Sequence, residues 1–317
     1  MNKNDSIYIA GHKGLVGNAI LRKLQSEGYK NIITKTHQEL DLIDTDAVEH
    51  FFIENKPCYV FLAAAKVGGI GANSHYPAEF IYQNTMIGFN VVHAAYKHGV
   101  KKLLNLGSSC IYPKDAPQPL KEDYLLSGFL EPTNDAYAIA KIAVIKLCNS
   151  YNLQYGTNFI SVMPSNLYGP GDTYDIENSH VLPAMIKKIH DAKVTGTNKI
   201  TLWGDGSPRR EFLYSDDLAE ALLFLMNSKN ASEIGEFINI GTGIDYTIFE
   251  LSGLVQKVIY ADKTEKEFII EWDNSKPNGT QRKLLDVSEI NLMGWKANTK
   301  ITDGINKAYI DFLKFQK

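Results

Sequence analysis

The chain has 317 residues, 44% of them hydrophobic and 22% charged, with a net charge of −3; this buries a large core in one or two domains. No basic surplus points to nucleic acid or an anionic membrane as partner, and no apolar run reaches the ~20 residues of a membrane span. Cys58, Cys110 and Cys148 are odd in number and widely spaced, which offers neither a disulfide framework nor a metal-binding CxxC pair and favours a reducing cytoplasm.

Met1–Asp5 leads straight into an apolar strand, Ser6–Ala10, which leaves no room for a signal peptide. Gly11-His12-Lys13-Gly14-Leu15-Val16-Gly17 follows, and a helical pattern then runs to about Glu27 and stops at Gly28. Strand, glycine turn and helix form the setting of a dinucleotide site. The glycines make the turn, let a pyrophosphate reach the backbone and let the helix pack on the strand. The spacing is GxxGxxG, and a bare glycine turn would read the same.

The next strand, Asn31–Thr34, ends in Lys35-Thr36-His37 where an NAD enzyme would usually place an acid for the ribose. With Lys13 in the turn, these cations favour the 2′-phosphate of NADP; a solvated loop would carry the same lysines. Asp41-Leu42 is placed to edge the adenine. Cys58–Ala65 is a continuous apolar run, as in a buried parallel strand. Its small end, Ala63-Ala64-Ala65, leaves room for a ligand before the glycine-rich loop Lys66–Gly71. A long helix spans about Pro77–His98, a strand Lys101–Leu106, a helix Asp135–Tyr155 and a strand Asn158–Met163.

This alternation predicts an α/β fold, a Rossmann-type doubly wound parallel sheet, over residues 1–164. Beyond Pro164 the regularity breaks. Asn166–Gly171 reads as a loop, about His180–Ala192 as a helix, Ile200–Trp203 as a strand, and an apolar helix ends near Met226. Residues 165–317 are expected to form a smaller mixed α/β domain for the substrate, with segments around 212–245 returning to the main sheet.

The chemistry gathers between Gly107 and Lys141. Tyr137 and Lys141 are four apart and share a helix face. An ammonium beside a phenol stabilises the phenolate, so the expectation is a tyrosine pKa lowered towards neutrality. Ser108, at a strand end, would hydrogen-bond the same substrate oxygen. A YxxxK spacing also arises by chance, and its force comes from the glycine turn and the serine together.

Several segments carry a resemblance: Ile9–Gly17, Leu62–Ile70, Tyr76–Ala78, Gly107–Pro113, Glu131–Asn134 with Tyr137–Lys141, Asn166–Pro170, Asn178–Val181, Arg210–Phe212 and Lys283–Val287. By these the chain resembles the extended short-chain dehydrogenase/reductases. Within them it is similar to the NADPH-dependent enzymes that epimerise GDP-4-keto-6-deoxy-D-mannose at C3 and C5 and reduce it at C4. The resemblance implies that Ser108, Tyr137 and Lys141 carry the reduction, and that Cys110 and His180 exchange the C3 and C5 protons. It implies that Pro164, Asn166, Leu167 and His180 join the cofactor site. It implies that Ser108, Ser109, Cys110, Asn166, Lys188, Trp203, Arg210 and Lys283 meet the GDP-sugar. Cys110 also reads as a small buried hydrophobe, Trp203 as a core residue, and Arg209 as solvated. Where the family has arginine, this chain has Lys13 and His37, which keep charge but lose the bidentate fork.

A related C4-reductase with little epimerase activity would share most of these residues. A non-catalytic NADP sensor would commonly lose the Tyr or the Lys, and both are present. The resemblance also implies a homodimer through helices Pro77–His98 and Asp135–Tyr155; no metal is implied.

Overall fold

The apolar runs become the middle of a sheet. The computed structural model describes residues 1–175, 179–261, 268–276 and 278–314. The first half alternates β1 (Ile7–Ala10), α1 (Leu15–Ser26), β2 (Ile32–Lys35), α2 (Thr45–Asn55), β3 (Tyr59–Leu62), α3 (Ile70–His75), α4 (Pro77–Lys97), β4 (Lys102–Leu106), α5 (Asp135–Tyr155) and β5 (Phe159–Pro164). The second half continues with β6 (Asn166–Tyr168), α6 (Val181–Thr195), β7 (Lys199–Trp203), β8 (Arg209–Tyr214), α7 (Ser215–Ser228), α8 (Ala231–Ile234) and β9 (Ile238–Ile240). It ends with β10 (Asp245–Thr247), α9 (Ile248–Ile259), β11 (Ile269–Asp273), β12 (Arg282–Lys283), α10 (Ser288–Leu292) and α11 (Ile301–Lys314).

Six strands pair in parallel in the order β2-β1-β3-β4-β5-β9. This is the doubly wound sheet expected from the alternation. Ile7, Ile9, Phe61 and Leu104 face α1 and α7 on one side; Tyr8, Val60 and Leu103 face α2, α4 and α5 on the other. Each fully buried side chain of this size contributes about 1.5–3 kcal/mol. The strand order reverses between β1 and β3, so the loops leaving these two strands frame a crevice, the usual ligand position in such sheets.

The remaining strands form a second sheet, β10-β8-β12 with β6 beside β8, and a separate parallel pair, β7–β11. A third apolar cluster, with Tyr168, Leu182, Phe212, Leu251 and Phe312, supports them. The Asn166–Gly171 segment therefore departs from a loop: its first three residues pair in parallel with Phe212–Tyr214. Three residues carry too short a pattern to signal a strand, and the partner lies far along the chain. Helix α2 had no counterpart in the reading above, although Asp44 caps it by accepting from Ala47 N at 3.0 Å. The glycine-rich stretch after β3 also turns helical at Ile70. Asn178 lies outside the described residues.

Candidate active site

The first glycine turn is held by contact. Gly11 has φ +87°, and a Cβ there would lie 2.7 Å from Ala64 N; one on Gly17 would lie 2.1 Å from Gly11 O. Gly14, the N-cap of α1, is exposed and bonds Gly11 O at 3.0 Å. Leu15 and Val16 form the half-buried first turn of the helix. His12 Nδ1 is buried without a protein partner beside this open helix end. An unpaired polar atom next to backbone N–H groups fits the phosphates of a dinucleotide.

Across the crevice, Ala63 N donates to Ala10 O at 3.0 Å, and Ala63, Ala64 and Ala65 are all half-buried. Asn84 of α4 fixes the next residue: its Oδ1 accepts from Lys66 N at 2.9 Å and its Nδ2 donates to Lys66 O at 3.0 Å. Sequence reasoning gave Asn84 no role. Its one signal was a polar residue on an apolar helix stripe.

Lys35 ends β2 level with Ala10, and Lys13 is exposed in the turn. His37 Nδ1 stands 3.7 Å from Asp41 Oδ1. An acid missed in the sequence is present: Glu39 accepts from Thr36 N at 2.7 Å, with Lys35 and His12 within electrostatic reach. Leu42 is buried, and its carbonyl accepts from Asn90 Nδ2 at 2.9 Å. Pro164 closes β5, and Leu167 is half-buried in β6.

The proton-handling set meets at the end of β4. Ser108 caps a 3-10 turn, Ser109–Ile111, by accepting from Cys110 N at 3.4 Å. Ser109 and Cys110 are buried. Lys141 Nζ, under the Tyr137 ring, donates to Leu106 O at 2.8 Å. Phe80 packs edge-on against Tyr137 with centroids 6.3 Å apart.

The expected phenolate is not what this environment favours. Burial around the Tyr137 hydroxyl raises its pKa, and Cys110 adds to the rise, while hydrogen bonding from Ser108 opposes it. The ammonium of Lys141 is committed to a carbonyl, and burial pushes it down to about 8. Burial also raises the Cys110 thiol, against the pull of Lys283, Ser108 and Lys141. His180, the N-cap of α6, has an exposed side chain, but the protein around its ring still lowers its pKa by desolvation. Near neutral pH Tyr137 is thus a phenol and Cys110 a thiol, and His180, at the start of α6, is an uncharged imidazole.

Lys283 reaches this set through the second sheet. Leu284 N donates to Gln118 Oε1 at 2.9 Å, and Leu120 N to Leu284 O at 2.7 Å, which stitches the loop after β4 to the segment after β12. Lys283 then faces Cys110, Arg210 and Glu131, and burial lowers its pKa. Arg210 stands opposite Lys283 in the β8–β12 register and donates to Arg209 O at 2.8 Å. Arg209 is not simply solvated: its Nε donates to Asp245 Oδ1 at 2.9 Å. Asn166 is tied to the same strand by donating to Glu211 O at 2.8 Å.

Lys188 instead donates to Thr201 O at 2.9 Å, and Trp203 is 64% exposed with Lys276 over its ring, so Trp203 is no core residue. Among the described residues, no hydrogen bond or ion pair joins Lys188 or Trp203 to the Cys110–Lys283 set. Nor does any group of His, Cys, Asp and Glu among them form a metal site.

Comparison with known proteins places these residues in context. The NAD dependent epimerase/dehydratase family matches residues 7–241. The chain is 53% identical to GDP-L-fucose synthase 1 of Arabidopsis thaliana, over 99% of this chain and 94% of that protein. It is 48% identical to the GDP-L-fucose synthase of Escherichia coli (strain K12), over 98% and 97% of the two chains. Among solved structures, MlghC, a GDP-mannoheptose C4 reductase from Campylobacter jejuni with NADP bound, is 40% identical with a TM-score of 0.88, covering 99% of each chain.

Proposed function

The chain belongs to the NAD dependent epimerase/dehydratase family, and from that premise we propose that it converts GDP-4-keto-6-deoxy-D-mannose to GDP-L-fucose, by epimerisation at C3 and C5 and then reduction at C4. It is an NADP-dependent oxidoreductase with epimerase activity. The observation that carries the reading is the set at the end of β4. A protonated tyrosine, a serine hydroxyl, a buried thiol and two lysines serve one small volume.

The turn Gly11–Gly17 and the α1 N-terminus hold the cofactor pyrophosphate, with Lys13 and Lys35 on the 2′-phosphate. Bound NADPH supplies the hydride for C4. Tyr137, kept protonated by burial, gives its proton to the oxygen that becomes the C4 hydroxyl. Ser108 hydrogen-bonds that oxygen, and the Lys141 charge steadies it as it turns anionic.

The C4 ketone acidifies the protons at C3 and C5. Cys110 and His180 act on them, one removing a proton and the other returning one from the opposite face. With a thiol and a neutral imidazole, the pair holds one transferable proton and one free acceptor, as such an exchange needs. Arg210 and Lys283 bind the diphosphate, and Asn166, Lys188 and Trp203 complete the GDP-sugar site.

Exposed Tyr82 and Phe89 on α4 and Ile139 on α5 support a homodimer through these two helices. Three free cysteines accord with a cytoplasmic location, and no helix among the described residues is long and apolar enough to cross a membrane. Incubation with NADPH and GDP-4-keto-6-deoxy-D-mannose, with the product identified by NMR, tests the reading. GDP-L-fucose is expected; a 4-reduced sugar that keeps its C3 and C5 configuration would overturn it in favour of a C4-reductase, the activity MlghC is named for.

A further inference from the structure

The sheet β10-β8-β12 has two chemically opposite faces. In register, Lys283 stands beside Arg210, and Arg282 beside Arg209. Neighbouring residues on a strand point to opposite faces. One face therefore carries the Arg210–Lys283 pair and the other the Arg209–Arg282 pair. Asp245 of β10 closes the second face. Its Oδ1 accepts from Arg209 Nε at 2.9 Å, and its Oδ2 from Arg282 Nε at 2.5 Å.

The Asp245 side chain is only 6% exposed. Burial pushes its carboxyl up, but the hydrogen bonds and charges of Arg282 and Arg209 outweigh this and hold it below the usual range. Arg209 Nη2 adds a bond to Asp245 O at 3.1 Å, and its Nη1 keeps a looser pair with Glu250 at 3.7 Å. Glu211, opposite Asp245 in register and wholly buried, accepts from the N–H groups of Leu285 at 2.9 Å, Thr242 at 2.5 Å and Gly243 at 2.8 Å. Asp245 thus joins β8, β10 and β12 through its two arginines, on the face away from Arg210 and Lys283, while Glu211 ties β8 to the segments that follow β9 and β12. Unrestrained, like charges side by side across a strand pair push apart, and the Arg210 charge does press on Lys283.

We propose that Asp245 is a positioning residue for substrate binding. By pinning Arg209 and Arg282 it fixes the β8–β12 register and holds Arg210 and Lys283 at the spacing that receives a nucleoside diphosphate. The inference rests on the assignment of those two cations to the GDP-sugar.

GDP itself is the probe, titrated by calorimetry alongside steady-state kinetics. Asp245→Asn keeps the size and removes the charge. The expected result is a roughly tenfold weaker GDP affinity and a matching rise in KM for the GDP-sugar, with a much smaller fall in kcat. NADPH affinity should stay unchanged, and Asp245→Glu should recover part of the loss. Should Asp245→Asn fail to fold, Arg282→Gln, at a partly exposed position, carries the same expectation. Unchanged GDP affinity in these variants, or an equal loss of NADPH affinity, would overturn the proposal. GDP affinity that also survives Arg210→Met and Lys283→Met would instead overturn the assignment beneath it.

Discussion

Lys141 sits under Tyr137 with its ammonium on the Leu106 carbonyl, and burial lowers its pKa to about 8. Its unfolded value is near 10.4, so the folded chain sheds this proton first. Stability therefore gains from this group as pH rises from about 8 to 10.4. Activity moves the other way. Above pH 8 the charge proposed to steady the C4 oxygen is lost, while Tyr137 remains protonated. The rate of C4 reduction, followed as NADPH oxidation, should fall about tenfold per pH unit beyond that point. In Lys141→Arg that alkaline limb should move out of range; a limb unchanged in the variant would assign it to another group. Ser108, Tyr137 and Lys141 were legible as a set from spacing and strand position. The direction of the tyrosine shift was not, because spacing reports which groups meet and not how much water they lose. Asp245 was equally hidden: its partners lie 36 and 37 residues away, and only the sheet register unites them.

At the scale of elements, long periodic segments could be read directly. Helices α4 and α5 begin and end within a residue or two of their sequence patterns. The failures share a cause. Strand β6 is three residues long, and its pairing with β8 is a tertiary event. Helix α2 buries only Val48, Phe51 and Phe52, a narrow stripe that the preceding loop obscured. The glycine turn shows how local sequence and packing agree. Gly17 has no room for a methyl group because Gly11 O occupies the place. Gly17→Ala should lower stability by about 1–3 kcal/mol or more, seen as a fall in Tm, and should abolish NADPH binding in a fluorescence titration. Wild-type affinity in that variant would show that the turn yields and that its close packing is not what shapes the cofactor site.

At the scale of the molecule, the doubly wound sheet was legible because alternation of strand and helix leaves few other topologies. The meeting of its strand ends with the second sheet was not. That contact depends on Leu120 pairing with the segment Leu284–Asp286, more than 160 residues away. It brings Lys283 to Cys110, beside the residues proposed to carry C4 reduction. One site is proposed to perform both epimerisation and reduction. The most direct test is the reaction with NADPH and GDP-4-keto-6-deoxy-D-mannose in heavy water, with the product examined by NMR. Deuterium at both C3 and C5 of GDP-L-fucose is predicted, and Cys110→Ser should suppress it while C4 reduction continues. Normal reduction at C4 with no deuterium at either carbon in the wild-type product would contradict the account.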